Sequence, residues 1–246
     1  MTRGLVVADL IGAESTPLVS VTRGNVRFII INRSEARNAM TRDMRRDFAV
    51  RVAEAGQDES VRAVIVTGAG GAFCAGVDIR ESRSTGPRPL VRPNPGEALR
   101  ALGKPVIAAV DGACVTGGLE IALSCSFLIA SDRSRFADTH ARVGLVPAWG
   151  MSALLPRAIG RRRAVQMMAT GAFVDAATAC DWGLVNEITT PDGFLCRSME
   201  LAEAMAETDA DSLGWQLGLI LRHEDEPMAA ALAAEEGMVA RWRARP

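Results

Sequence analysis

The sequence is poor in several residue types that often mark a specialised protein. Its 246 residues include no tyrosine and two histidines, and the single lysine is Lys104. Five cysteines are an odd number and no two of them form a Cys-x-x-Cys pair, which argues against a disulfide framework and favours reduced thiols. Because the histidines, cysteines and carboxylates have no metal-ligand spacing, we expect no metal site. The cysteines are Cys74, Cys114, Cys125, Cys180 and Cys196.

Long apolar runs and an excess of one charge are also missing. No segment approaches the roughly 20 continuous apolar residues of a membrane span. The N-terminus has one arginine and a short apolar stretch interrupted by Asp9, which is too weak for a secretory signal. A net charge of −1 gives the surface as a whole no bias toward polyanions. We therefore expect a cytoplasmic protein that binds neither nucleic acid nor membrane.

The composition and the order of the elements indicate an α/β fold. Hydrophobic residues make up 48% of the chain, which is enough for a sizeable core. Short β-rich runs alternate with helical patterns up to about Pro191, and the remainder is almost entirely helical. Strands are predicted at 18–22, 26–31, 62–67, 106–110, 127–131 and 184–188. Helices are predicted at 42–55, 98–102, 151–158, 161–170, 175–181, 193–207, 212–221 and 227–243, another starts after Gly118, and 81–96 is predicted to be a mobile surface loop.

One stretch, residues 105–120, organises the chemistry of the chain. An apolar run at 106–110 predicts a buried strand, and Gly117-Gly118 then opens a helix in which Glu120 is the one ionisable side chain of the first turn. Without side chains at the two glycines, a ligand oxygen has close access to backbone N–H groups. The alternative is that the glycines only close a turn and that Glu120 is a favourable first-turn carboxylate.

A second glycine-rich segment, residues 68–80, follows the strand predicted at 62–67. It lacks the Gly-Lys-Ser/Thr ending of a phosphate loop and the spacing of a dinucleotide fingerprint. Ala75-Gly76 resembles Gly117-Gly118 in that its small side chains leave main-chain N–H groups accessible. Two loops of this kind are able to direct two donors at one oxygen.

A third segment, residues 136–150, has little regular period and contains Asp138, His140 and Trp149. Histidine side chains are able to act as acid or base near neutral pH. The alternative interpretation is that His140 is a hydrogen-bonded structural residue at a bend and that Asp138 caps a turn. For Trp149, filling the core and shaping a pocket are equally compatible with the sequence.

Four segments, in order and spacing, resemble the crotonase superfamily of enoyl-CoA hydratases and isomerases. The resemblance implies a crotonase-type spiral of β-β-α units at 1–190, with the acyl-CoA site, and a helical C-terminal trimerisation region at 191–246. It also implies a homotrimer or a hexamer built as a dimer of trimers, and a coenzyme A thioester as substrate with no separate cofactor. The matching segments are 32–39, 72–79, 104–112 and 117–120, and 235–245 resembles the closing helix of the family.

The resemblance also implies roles for individual residues. The N–H groups of Ala75 and Gly117 match the oxyanion hole, and Glu120 matches the first catalytic glutamate, which activates water in hydratases. Contacts with the coenzyme are implied for two segments and for Gly117. These residues are Ala36, Arg37, Ala39, Ala75, Gly76, Val77, Asp78 and Ile79.

At one catalytic position the sequence departs from the family pattern. Where a typical hydratase has its second glutamate, this chain has His140, and Asp138 is the other candidate for that part. Trp149 stands where the family usually has small residues, which predicts a narrowed acyl pocket. The leading hypothesis is an enoyl-CoA hydratase. The alternatives are an enoyl-CoA isomerase, a hydrolase of CoA thioesters or β-diketones, and a non-catalytic acyl-CoA-binding relative.

Overall fold

A computed structural model describes residues 5–85 and 90–223 of the chain. The helix predicted at 227–243 and part of the loop predicted at 81–96 lie outside the described residues. Within them the chain forms α-helices and two β-sheets, and the helices of the C-terminal part follow the last strand. The predicted α/β class is therefore confirmed.

Ten strands occur in the described residues, and six of them form one sheet in the order β1-β2-β3-β5-β7-β10. The first two are an antiparallel hairpin, and the remaining neighbours are parallel. Burial on both faces explains why the central strands are continuous apolar runs. The strands are β1 (Leu18–Arg23), β2 (Val26–Ile31), β3 (Ala63–Gly68), β4 (Ala72–Cys74), β5 (Val106–Val110), β6 (Ala113–Val115), β7 (Phe127–Ser131), β8 (Arg135–Ala137), β9 (Val174–Asp175) and β10 (Glu187–Thr189).

The other four strands, in the order β4-β6-β8-β9, form a second sheet that the sequence did not predict. Strands β4, β6 and β8 are only three residues long, which is too short to give a periodic signal. Each follows a strand of the large sheet after a sharp corner. Gly112 makes one such corner with φ of +74°, a conformation that favours glycine. These repeated strand pairs, with the helices that follow, form the spiral of β-β-α units that was predicted.

The helices cover both faces of the large sheet. Helix α9 packs on β3, β5 and β7, and α2 packs on β1 and β2. Two clusters of buried apolar residues, one on each side of the sheet, make the core. The helices are α1 (Val7–Ile11), α2 (Arg42–Gln57), α3 (Ile79–Thr85), α4 (Pro95–Arg100), α5 (Gly117–Leu123), α6 (Met151–Ile159), α7 (Arg161–Thr170), α8 (Ala176–Asp181), α9 (Phe194–Ala206) and α10 (Ala210–His223).

Two predictions about local structure need correction. The segment predicted as a loop from 81 contains the end of α3, whose first N–H groups are capped by Asp78, and α4 starts at Pro95. A capping box between Asn94 and Glu97 starts α4, and this signal was present in the sequence. The strand predicted at 184–188 is β10, which begins only at Glu187. The N–H groups of Leu184 and Val185 donate to Ala179 O in α8, so these two residues still belong to the turn after that helix.

Candidate active site

Glu120 is a buried carboxylate in the first turn of α5, with 2% of its surface exposed. Its Oε1 atom accepts two backbone hydrogen bonds, from Trp149 N at 2.7 Å and from Met151 N at 3.1 Å. These donors hold the carboxylate in place and bind the start of α6 to α5. The second oxygen, Oε2, faces His140 Nε2 at 3.7 Å. Oε2 is thus the oxygen of Glu120 that is directed at another titratable group.

His140 lies in the turn after β8 and is held by Asp138. The Oδ1 atom of Asp138 lies 2.6 Å from His140 Nδ1 and accepts a hydrogen bond from His140 N at 3.0 Å. Both side chains are buried. The structure therefore brings Glu120, His140 and Asp138 together in one chain of contacts. The distance between His140 Nε2 and Glu120 Oε2 is too long for a direct hydrogen bond, so both atoms keep the capacity to exchange protons with a ligand or water.

Thr116 connects the two segments that present Gly117 and His140, and sequence reasoning missed it. Its Oγ1 lies 2.6 Å from Thr139 Oγ1 and accepts from Thr139 N at 3.2 Å, while its N–H donates to Ala137 O. Thr116 has φ of +56°, which is rare for a β-branched residue. Backbone strain of this kind concentrates at functional sites. The threonine at the entry to the glycine pair was the signal available in the sequence.

The two small-residue loops touch through their main chains at Gly76 and Gly117. A Cβ on Gly76 would lie 2.8 Å from Gly117 N, and one on Gly117 would lie 3.1 Å from Gly76 Cα. Neither position tolerates a side chain without movement. The structure thus places the two predicted loops together, with main-chain atoms of both at the contact.

The N–H group of Ala75 is already engaged in this structure, since it donates to Arg37 O at 3.0 Å. The N–H of Val77 is not bonded to this neighbouring segment. Met40 pairs with Val77 by hydrogen bonds to the residues before and after Val77: Met40 N donates to Gly76 O, and Asp78 N donates to Met40 O. In a parallel bridge of this kind, the N–H of the middle residue points away from the partner strand. Val77 N–H is therefore directed away from Met40.

The segment 36–39 and the segment 75–79 lie side by side. Asn38 is fully buried and donates to Ala69 O and Ala72 O, which holds the turn against the ends of β3 and β4. Asp78 binds Arg33 at 2.6 Å, and this hydrogen bond lowers the pKa of the Asp78 carboxyl. The carboxylate of Asp78 therefore supports the loops, and its oxygens do not project freely into a pocket.

Trp149 is buried, with 6% of its surface exposed, and its ring lies over Gly117. A Cβ on Gly117 would meet Trp149 Cζ3 at 2.8 Å. The backbone of Trp149 is fixed from two sides, because its N–H donates to Glu120 and its carbonyl accepts from Arg100 Nη1 at 3.1 Å. Trp149 thus forms a rigid wall next to the two small-residue loops while also belonging to the core.

The cysteines near the loops are packing residues. Burial raises the pKa of Cys74 to about 12 and also raises the pKa of Cys114 well above its usual range. Neither thiol is a nucleophile near neutral pH, because the thiolate is the reactive form. In the part of the chain that the structure describes, no cluster of histidine, cysteine and carboxylate side chains is suited to hold a metal ion. The helices of the same part include none long and apolar enough to cross a membrane.

Fold and site together define a protein with a β-β-α spiral and a buried cluster of two carboxylates and one histidine. Comparison with known families is consistent with this class. The family model described as enoyl-CoA hydratase/isomerase matches residues 22–242, and the chain belongs to this family. The resemblance noted in the sequence is thereby confirmed.

Individual relatives cover most of the chain. The Arabidopsis thaliana protein named probable enoyl-CoA hydratase 1, peroxisomal, is 35% identical over 85% of this chain and 77% of its own length. The crystal structure of an enoyl-CoA hydratase from Mycobacterium avium is 40% identical, covers 92% of this chain and 96% of its own, and superposes with a TM-score of 0.76. A putative enoyl-CoA hydratase/isomerase from Mycobacterium abscessus is 32% identical, with coverages of 93% and 92% and a TM-score of 0.84.

Proposed function

We propose that this protein is an enoyl-CoA hydratase-like enzyme that adds water to the double bond of a trans-2-enoyl-CoA. The observation that carries the proposal is the 3.7 Å approach of Glu120 Oε2 to His140 Nε2 in a buried site. Two proton-transfer groups beside accessible main-chain N–H donors fit a reaction that moves protons on a thioester. Membership of the family, and the names of the relatives, support the same reaction class.

The proposed reaction divides the proton transfers between the two side chains. Glu120 Oε2 accepts a proton from water as the water oxygen bonds to the β-carbon. The π electrons of the double bond move toward the thioester carbonyl. The α-carbon then takes the Nε2 proton of His140, which enters the proposed reaction as the imidazolium with a proton on each ring nitrogen. The proton on Glu120 passes to His140 Nε2, so both side chains return to their starting protonation states and one water has been added.

The negative charge on the thioester oxygen requires two donors, and we assign these to the N–H groups of Gly117 and Val77. Ala75, the donor expected from the resemblance, would first have to release Arg37 O. Gly117 N lies at the contact between the two loops. Val77 directly follows Gly76, which is the other residue of that contact. One such donor typically contributes about 3 to 4 kcal/mol to the lowering of the barrier.

Selective isotope labelling distinguishes Val77 from Ala75. The sequence contains one Gly-Val pair, Gly76-Val77, and one Cys-Ala pair, Cys74-Ala75. Labelling the carbonyl carbon of the first residue and the nitrogen of the second therefore gives a single amide signal for each pair. On addition of butyryl-CoA, a saturated thioester, we expect a downfield shift of the Val77 proton and little change at Ala75. The reverse pattern would return the donor to Ala75.

Contacts with the coenzyme are proposed for the adjoining segments 36–39 and 75–79 and for Gly117. Arg37 is exposed and offers a cation to the CoA phosphates, while Ala36 and Ala39 offer small side chains beside it. From Ala75 to Ile79 the backbone is the expected contact, because the carboxylate of Asp78 is bound to Arg33. Arg37→Ala should raise the KM for acyl-CoA and leave kcat close to that of the wild type.

For its assembly, we propose that the protein forms a homotrimer, or a hexamer of two trimers, with residues 191–246 as the trimerisation region. For its location, we propose the cytoplasm. In support, Ile220 on α10 is 62% exposed, as expected for an apolar residue that packs against another subunit. Light scattering of the full chain would measure the oligomer, and a monomer at micromolar concentration would contradict the proposal.

Thioester hydrolysis is a second candidate, and the bond between Asp138 and His140 favours it. A histidine held by an aspartate is a common general base for activating water. In this reaction the water oxygen attacks the thioester carbonyl, and the thiolate of CoA leaves with the proton that His140 received. Release of free thiol from butyryl-CoA would identify this activity, since hydration releases none.

Hydration of crotonyl-CoA, followed by the loss of its conjugated absorbance, tests the leading proposal. We expect turnover by the wild type, and a decrease in kcat of about 10²- to 10⁴-fold for both Glu120→Gln and His140→Ala. Asp111→Asn is the matched control, because Asp111 is a buried aspartate bound to Ser131 and Arg133. Full activity of Glu120→Gln would contradict the mechanism.

A further inference from the structure

The contacts of Asp138 are concentrated on a single neighbour. Its Oδ1 atom meets both the backbone N–H and the Nδ1 atom of His140, at 3.0 Å and 2.6 Å. Asp138 is 2% exposed, so water does not compete freely for this oxygen. Within the described residues, the charged groups at ion-pair distance from His140 are Asp138 on Nδ1 and Glu120 on Nε2. Each ring nitrogen thus faces one carboxylate.

The two carboxylates cannot have the same role, because their other contacts differ. Glu120 has one oxygen bound by Trp149 N and Met151 N and the other directed at His140 Nε2 without a hydrogen bond. Asp138 already makes its short contact on the far side of the ring. A carboxylate that accepts a hydrogen bond from Nδ1–H keeps the proton on that nitrogen. Nε2 is then the ring atom that exchanges protons.

We propose that Asp138 is a positioning residue that fixes the ring and tautomer of His140, so that Nε2 performs the proton transfer at the α-carbon. The pair Asp138–His140 then fills the place that the second glutamate occupies in the typical family pattern. This inference rests on the proposed function for its chemistry, but the tautomer itself is a property of the protein alone. No oxidant, reductant or further reactant is needed, because the proton moves only between water, Glu120, His140 and substrate.

The local sequence explains how the ring is held. Asp138 and His140 are two residues apart, and the backbone hydrogen bond from His140 N closes a small turn between them. Thr139, between the two, is tied to Thr116 at the entry of α5. The turn that presents the imidazole is thereby fixed to the helix that carries Glu120. Movement of the ring relative to Glu120 is restricted from both sides.

Nitrogen NMR of the histidines tests the tautomer without any substrate. The chain has two histidines, His140 and His223, so histidine labelled with ¹⁵N gives two sets of signals, which His223→Gln assigns. We expect the neutral ring of His140 to have its proton on Nδ1, with a strongly downfield shift from the short bond to Asp138. In Asp138→Asn that downfield proton signal should be lost. A neutral wild-type ring with its proton on Nε2 would overturn the inference.

Kinetics with crotonyl-CoA test whether the tautomer matters for catalysis. For Asp138→Asn we expect kcat to fall about 10²-fold or more, with a smaller effect on KM. Asp111→Asn, the control at a buried aspartate away from His140, should keep kcat close to that of the wild type. A kcat for Asp138→Asn that is equally close to the wild type would count against a positioning role.

A double substitution separates positioning from folding. In a His140→Glu background there is no imidazole to position, so adding Asp138→Asn should change kcat by less than about 3-fold. An equal loss in both backgrounds would assign Asp138 a structural role and overturn the inference. If the wild type does not hydrate crotonyl-CoA, the proposed function fails for that substrate, while the NMR result still decides whether Asp138 sets the tautomer.

Discussion

Replacing Glu120 by alanine is expected to destabilise the fold as well as to abolish activity. Oε1 of Glu120 accepts from Trp149 N and Met151 N, and both residues are buried. Each orphaned N–H costs about 1 to 3 kcal/mol, so the two together amount to about 2 to 6 kcal/mol. This is a large part of the ~5 to 15 kcal/mol that stabilises a typical domain. Glu120→Gln keeps a carbonyl oxygen at this position and should lose less than about 2 kcal/mol.

Urea unfolding followed by tryptophan fluorescence measures this difference. We expect Glu120→Ala to have a lower midpoint than Glu120→Gln at an unchanged slope. Glu200→Ala is a control for removing a carboxylate, since Glu200 is an exposed partner of Arg197 and its loss should cost less than about 1 kcal/mol. If Glu120→Ala and Glu120→Gln have the same free energy of unfolding, the carboxylate does not hold the start of α6, and our interpretation of its Oε1 contacts is wrong.

Three further predictions concern the surroundings of the site. Gly118→Ala should destabilise the protein by about 1 to 3 kcal/mol or more in thermal unfolding, because its Cβ would lie 2.1 Å from the carbonyl oxygen of Cys74. In iodoacetamide labelling of the native protein at pH 8, the peptide containing Cys74 should remain unmodified, because burial raises the pKa of that thiol to about 12, while the partly exposed Cys196 reacts faster. Asp78 has a lowered pKa through its bond to Arg33, so it stabilises the fold above about pH 4 and this contribution is lost as the pH falls further. The difference in unfolding free energy between wild type and Asp78→Asn should therefore shrink from pH 7 to pH 3, and a constant difference would contradict this.

The acyl pocket gives one more prediction. Trp149 forms a wall over Gly117, so Trp149→Phe should improve kcat/KM for longer or branched enoyl-CoA relative to crotonyl-CoA. A panel of chain lengths measures this ratio. An unchanged ratio would mean that the ring fills the core and does not border the acyl group.

The sequence predicted the large sheet well because its strands are buried apolar runs with clear ends. It did not predict β4, β6 and β8, which are only three residues long and whose pairing is set by the corners before them. Helix α3 was missed for a related reason, since its polar composition resembles that of a surface loop. The capping of α3 by Asp78 depends on where Arg33 holds that carboxylate, which is a contact across 45 residues of sequence.

For the site, the sequence by itself determined the residue types and their order: Glu120 after two glycines, a second small-residue loop, and a histidine where a glutamate was expected. Tertiary structure alone decided which atoms meet. In the folded chain, Ala75 N–H donates to Arg37 O, and Val77 N–H points away from Met40. Trp149 lies over Gly117. Asp138 and Glu120 face opposite ring nitrogens of His140. Local sequence records which side chains are present, whereas hydrogen-bond partners and ring orientation depend on contacts between segments that only folding brings together.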